Sequence, residues 1–495
     1  MSDHNLHKIE NLDCDVLVIG SGAGGASVGN ELVNAGYDVL MLEEGASIPF
    51  ENAPETLSKS FNKMWRAGGL TLANGSSPVA YAEGSCVGGS TEINSAIFQR
   101  TPEELLEKWA SKYSIENFSA GKLLPFYDQA ARLVNASFTD GSLGLHSEIL
   151  RKAGELKNWG VMPLERGQKK CVGTNHCSIG CPTGAKQSMS TSVLRQYTDN
   201  GGRLISHCRV ERLIKSKTSV KSARARVKNK EGIYQTIKIT AKYFFVCGGA
   251  TQTPNLLLKS GYKAPVGSGF KLHPTIRILA EFDEKINAQR SRLPLYAITE
   301  FLPNFRIGGS IASLPTFGMF LAEDWEFRSH MMPSFSNMGM YYAMARGTGV
   351  GKIKSIPYSK HPYVSFQLSE EDWENLEVGL QSLAVCLFES GAKKIQPSIA
   401  GMDAWDSIDA MYSALSGGLP RKMCNLMTIH IFSSIGMGEN PKISAANSYG
   451  KIWGSENLYV ADASLIPEAP SVNPQASVMA LALRVAKNFI EKNGK

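Results

Sequence analysis

An α/β fold is predicted from three observations in the sequence. A run of β-forming residues, Val16 to Ile19, leads straight into Gly20-Ser-Gly22-Ala-Gly24-Gly25 and then into an amphipathic helical pattern that ends at Ala35-Gly36. A second apolar strand, Val39 to Leu42, delivers Glu43 about twenty residues further on. Later, Phe244-Phe-Val-Cys-Gly248-Gly249 repeats the order of strand, paired glycines and helix, with Asn255 to Leu258 inside the helix. Strand, glycine turn, helix, strand and acid stand in register, which is the pattern of a Rossmann-like dinucleotide-binding unit.

Each part of the first unit has a separate task. Gly20 allows the tight turn, Gly22 lets a pyrophosphate approach the backbone, and Gly25 lets helix pack on strand, with the helix N-terminus aimed at the phosphates. A carboxylate at Glu43 takes ribose hydroxyls and argues against a 2′-phosphate. FAD and NAD both stay open at this point.

The length of 495 residues exceeds one compact core and predicts about two or three domains. Hydrophobic residues make up 43% and charged residues 20%, which is ordinary for a soluble globular chain. Residues 1–12 are polar with no apolar core of a signal peptide, and no charge-free run reaches membrane-spanning length, so a soluble, cytoplasmic protein is expected. Nine cysteines over this length make no disulfide framework. The net charge of +7 is local: from Cys208 to Lys242 there are eleven Lys or Arg and two acids. That segment alternates polar and apolar residues as a half-exposed antiparallel meander does. A solvated face is the first reading of its charge, a docking patch for an acidic partner or anionic surface the second. No nucleic-acid motif accompanies it.

Two further elements carry chemistry. Gly84-Ser-Cys-Val-Gly88-Gly89-Ser90-Thr-Glu-Ile-Asn94 would lay backbone N–H groups and hydroxyls against a flat or anionic cofactor. Near the C-terminus, Asn457-Leu-Tyr-Val-Ala-Asp462 is a short apolar strand ending in an acid, followed by a helix from Gln475 to Ile490 that starts after Asn473-Pro474 and favours an anion at its mouth.

Taken together, the GxGxxG unit with Glu43, the GSCVGGSTEIN loop, the FVCGGATQTPNLLLKSG turn with Leu272-His273-Pro274 beyond it, and the block HIFSSIGMG…LYVADASLIPEAPSVNPQAS resemble the glucose–methanol–choline (GMC) family of FAD-dependent oxidoreductases. The resemblance implies a discontinuous FAD-binding domain (1–100, 200–274 and 421–495), a connecting segment with a cysteine loop (101–199), and a substrate domain on an antiparallel sheet (275–420), an α+β part beside the α/β unit. It implies cofactor contacts at Gly20, Gly22, Gly25, Glu43, Gly84, Gly88, Gly89, Ser90, Asn94, Val210, Asp462 and Pro474. FAD is expected to be held non-covalently, because Gly84 to Arg100 contains no histidine for attachment.

By motif, His430, seven residues before Met437, occupies the place of the family's catalytic histidine, and Asn473 the second place of the pair. An alcohol gives up hydride only as its hydroxyl proton leaves, so a neutral imidazole is the required base; Asn473 can only hold and orient the oxygen. The helix beginning near Gln475 would stabilise negative charge on the reduced flavin. One departure is Ser433-Ser434, where the family usually has Gly-Thr.

Cys171, Cys177 and Cys181 stand in a glycine-containing loop that closes with Cys-Pro and resembles that of bacterial FAD-dependent glucose dehydrogenases holding a three-iron, four-sulfur (3Fe-4S) cluster. A zinc site completed by His176, and plain structural cysteines or a disulfide, are the alternatives. A cluster would pass single electrons to an external acceptor, a cytochrome or quinone, making the chain a dehydrogenase. The remaining readings are an oxygen-using alcohol oxidase and, from another class, a flavin-bearing electron-transfer subunit without turnover. The substrate is expected to be a small alcohol or sugar. Six of the seventeen methionines lie between Met319 and Met344, among Trp325, Phe327, Phe335, Tyr341 and Tyr342, and read more readily as core than as a pocket.

Overall fold

The computed structural model describes residues 11–139, 144–229 and 231–494. Most of the polar leader, and Lys230 of the basic segment, lie outside the described residues.

The expected nucleotide-binding unit forms as one twisted sheet. The strand Asn11–Ile19 pairs in parallel with Val39–Leu42 on one side and with Tyr234–Val246 on the other, and Arg203–Ile205 extends the sheet beyond Val39–Leu42. Val16, Leu17 and Val18 are fully buried, as both faces of a parallel sheet must be when helices cover them. The long strand Tyr234–Val246 shares its other edge between two partners. Its first half pairs antiparallel with Ser219–Lys228, and its last three residues pair in parallel with Leu458–Val460. The basic meander is thus an extension of the nucleotide sheet, and its alternating pattern places Val220, Ala223, Ala225 and Val227 inside while Arg224 and Arg226 stay outside.

The helix Ala23–Asn34 follows the glycine turn, and the C-terminal helix Gln475–Asn493 packs on it. Two glycines set this packing. At Gly20, with φ of 103°, a Cβ would sit 2.3 Å from the Cys247 carbonyl oxygen; at Gly24 it would sit 1.8 Å from that of Ala461. The second position, which the motif reading assigned no role, is where the helix touches the C-terminal strand.

A second core lies on a nine-stranded, mostly antiparallel sheet whose centre is Thr275–Phe282 flanked by Met338–Ala345. The helix Glu370–Glu389 covers it, started by a capping box of Ser369 and Asp372. Strands from outside 275–420 join this sheet: Leu72–Ala73, Val79–Tyr81 and Leu426–Thr428 at one edge, and Val161–Pro163 at the other. The strand Tyr363–Gln367 stands in a separate four-stranded sheet with Val350–Lys354, Ser268–Leu272 and Ile431–Phe432. Met331, Met338, Met340 and Met344 are core, whereas Met319, Trp325, Phe327 and Met332 are exposed. Among the described residues no helix is long and apolar enough to cross a membrane.

Candidate functional site

Between the two sheets runs a cleft of ≈ 1290 Å³. Its lining brings together nearly every residue expected from the motifs: Gly20, Gly22, Glu43, Gly84, Gly89, Ser90, Asn94, Val210, Asp462, Pro474, His430 and Asn473. Gly25 and Gly88 stand behind the wall. A Cβ at Gly25 would lie 1.9 Å from the Gly20 carbonyl oxygen, and Gly88 N–H donates to Ser21 Oγ at 3.1 Å, so their contribution is to shape the loops.

The two glycine loops are tied to each other and to Glu43. Its carboxylate accepts from Ser21 N–H at 3.1 Å, from Ser21 Oγ at 2.7 Å and from Gly45 N–H at 2.9 Å. Burial, with Glu44 beside it, raises its pKa above the usual carboxylate value. A Cβ at Gly89 would come within 2.9 Å of Gly22 Cα, so the loops meet backbone to backbone where a flat cofactor needs room. Asn94 Nδ2 donates to Gln475 Oε1 at 2.7 Å, linking the second loop to the start of the C-terminal helix, while Gln475 Nε2 has no partner and lines the cleft. Asp462 binds on both sides, accepting from Gly249 N–H and Thr253 Oγ1 and from Ser464. An elongated cleft with an orphaned amide donor, glycine backbone and a helix N-terminus fits a dinucleotide.

At one end of the cleft stand His430 and Asn473. His430 Nε2 lies 3.0 Å from Asn473 Nδ2, and His430 Nδ1 lies 3.1 Å from His273 Nδ1. Both histidines are buried. Burial first, and the positive charge of Arg306 second, push the pKa of His430 down to about 3, and the same causes with His430 itself hold His273 well below the usual histidine value. His430 is therefore a neutral imidazole at neutral pH, as a base for alcohol oxidation must be. Ser433, one of the two departures, has φ of 70°, and Ser434 Oγ donates to the Ala250 carbonyl at 2.5 Å. Ser434 thus pins the loop after His430 to Ala250, just beyond the Gly248-Gly249 turn.

Families are decided by such arrangements together with the sequence that builds them. The two GMC oxidoreductase family models match residues 61–275 and 352–482. The chain belongs to the GMC oxidoreductase family. It is 47% identical to an uncharacterized GMC-type oxidoreductase of Sinorhizobium fredii, over 99% of this chain and 97% of that one. It is 25% identical to a long-chain-alcohol oxidase of Arabidopsis thaliana, over 98% of this chain and 69% of the relative. The fold is that of pyridoxine 4-oxidase from Mesorbium loti (TM-score 0.73, 14% identity, 97% and 99% of the two chains) and of an Aspergillus oryzae formate oxidase variant (TM-score 0.75, 15% identity, 98% and 99%). This GMC chain is accordingly an FAD-linked oxidoreductase.

The cysteine loop stands apart from the cleft. Cys171, Cys177 and Cys181 surround a cavity of ≈ 10 Å³ together with Arg166, Lys186 and Arg292, and His176 is not in its lining. No disulfide joins the described cysteines, and among the described residues no three His, Cys, Asp or Glu groups converge at metal-ion geometry. The cluster, zinc and disulfide readings alike therefore find no support in the observed geometry. Arg166 Nη2 lies 3.1 Å from Cys177 Sγ, and Arg166 and Lys186 are both buried in the cavity wall.

Motif reading missed four residues of the catalytic end. Arg306 backs Asn473 and is itself held by Tyr342 and Gln99, and His273 stands in the sequence only as part of Leu272-His273-Pro274. A signal existed for Arg306, a lone charge inside the apolar strand Phe305–Gly309.

Proposed function

We propose that this GMC oxidoreductase oxidises a primary or secondary alcohol, with His430 as the base and Asn473 as the group that orients the hydroxyl. The observation that carries the proposal is a neutral, buried imidazole in the wall of the cofactor cleft, its Nε2 held by the Asn473 amide. The cleft residues above would hold FAD non-covalently, and the flavin would supply the hydride acceptor. His430 receives the hydroxyl proton at Nε2, Asn473 holds the oxygen through Nδ2, and the first turn of the helix Gln475–Asn493 presents unpaired N–H groups to developing negative charge. Relatives named long-chain-alcohol oxidase and 2-methyl-1,2-propanediol dehydrogenase support the alcohol class.

Electrons then leave through one of two exits. The first is a 3Fe-4S cluster on Cys171, Cys177 and Cys181 feeding a cytochrome or quinone; the second, favoured by the oxidases among the relatives, is molecular oxygen. The cavity holds about one water, too little room for a cluster, which weighs against the first exit. An anaerobic panel of alcohols followed by flavin absorbance tests the proposal: bleaching by aliphatic alcohols supports it, and a flavin that stays oxidised with every alcohol overturns it. Admitting air and measuring peroxide then separates the exits.

A further inference from the structure

The amide of Asn473 sits between a group that can only donate hydrogen bonds and a ring that can do either. Arg306 Nη2 donates to Asn473 Oδ1 at 2.9 Å. A guanidinium has no acceptor, so the amide must turn its oxygen to Arg306 and its NH₂ to His430. Asn473 Nδ2 then donates to His430 Nε2 at 3.0 Å, which leaves Nε2 as an unprotonated acceptor and puts the ring proton on Nδ1. His430 Nδ1 in turn faces His273 Nδ1 at 3.1 Å, so His273 accepts there and carries its own proton on Nε2.

Arg306 is an unusual source for this chain of polarity. It is fully buried, and among the described residues it pairs with no carboxylate; its other hydrogen bonds go to Gln99 Oε1 and, at 2.8 Å, to the Tyr342 hydroxyl. An arginine without a counter-ion is costly to bury and calls for a role. Resting on the alcohol-oxidation reading, we propose that Arg306 is a positioning residue that sets the direction of the chain Arg306–Asn473–His430–His273 and thereby keeps His430 Nε2 unprotonated, accepting from Asn473 Nδ2 at the cleft wall.

Two consequences follow. A substrate hydroxyl that takes the place of the Asn473 N–H at Nε2 finds an acceptor without any prior change of tautomer. The base also stays neutral far into acid, because Arg306 bears on it and no carboxylate opposes that charge; the other charged group acting on the pair is Arg346, through His273. Without Arg306 the amide is free to turn over and offer Oδ1 to Nε2, which selects the Nε2–H tautomer and leaves no acceptor at Nε2 for a substrate proton.

The test uses the flavin-loaded protein labelled with ¹⁵N-histidine, alone and as Arg306→Met and Arg306→Lys. The parental resting protein should show His430 protonated at Nδ1 and bare at Nε2. Arg306→Met should show mixed tautomers, a flavin-reduction kcat lower by about tenfold or more with KM little changed, and an acid limb of kcat/KM moved to higher pH. Arg306→Lys, still a pure donor, should recover most of the rate and the parental tautomer. An Nε2-protonated His430 in the parental protein overturns the proposal by itself, whether or not Arg306→Met folds. So does Arg306→Met with the parental tautomer and pH profile. Since the tautomer is read in the resting protein, it stands or falls separately from the alcohol reading, which His430→Ala tests.

Discussion

The ammonium of Lys186 donates to the backbone carbonyl of Cys177 at 2.7 Å, and its other two protons go to the carbonyls of Glu92, at 2.6 Å, and Asn94, at 3.2 Å. One buried side chain thus clamps the cysteine loop to the glycine-rich loop that lines the cofactor cleft. Each end of the clamp is a backbone oxygen that has lost water, so the donor cannot be removed without leaving orphaned acceptors.

Lys186→Met keeps the length of the stem and removes all three donors. Each orphaned carbonyl costs about 1–3 kcal/mol, so the variant should melt several degrees lower and purify with less flavin per chain. A variant with parental melting temperature and flavin content would show that the clamp carries no weight.

The cysteine loop has its own chemical test. Protein prepared without oxygen should contain about three irons and four sulfides per flavin if a 3Fe-4S cluster forms, and Cys177→Ser should lose the broad absorption beyond the flavin bands. Iron-free anaerobic protein that reduces its flavin normally in serine variants of all three cysteines would leave oxygen as the exit.

His430→Ala should lose about 10²–10⁴-fold of turnover while keeping its flavin, since the ring stands at the substrate end of the cleft, away from the nucleotide half. Stopped-flow flavin reduction together with the absorbance ratio of flavin to protein checks both halves. Parental turnover with full flavin would remove the proposed base.

A histidine outside the site makes stability depend on pH. His146 is fully buried, binds the Met340 carbonyl through Nε2 at 2.8 Å, and burial pushes its pKa down to about 4. Its folded pKa lies below the unfolded value of about 6.5, so its contribution is present above that value and is lost as pH falls toward 4. The loss over this window amounts to about 3 kcal/mol. His146→Phe should therefore be less stable than the parent at pH 7, by about 1–2 kcal/mol for the missing hydrogen bond, yet lose less on acidification, so that the two denaturation curves converge and cross near the acid end. Parallel curves from pH 7 to 4 would contradict this assignment.

Local chemistry made much of the molecule legible in the sequence. The glycine turn after Val16 to Ile19, Glu43 after a second apolar strand, the alternation of the meander and the helix after Asn473-Pro474 all depend on neighbours within a few residues, and all appear in the structure. The family motifs also named the lining of the cleft, because short spacings carry close backbone approach. What the sequence could not contain was which distant segments meet. The sheet takes Leu458–Val460 onto the free half of Tyr234–Val246, and Gly24 becomes a contact only once that strand is in place. Val79–Tyr81 and Val161–Pro163 join the second sheet because their edges find partners in distant segments, Leu426–Thr428 and Tyr296–Ile298. Likewise Lys186 and Arg306 look like ordinary basic residues until folding strips their water and sets them against carbonyls and an amide. Periodicity and motif determined the elements and the cofactor cleft; burial, a property of the assembled chain, decided which charges act on the cysteine loop and on His430.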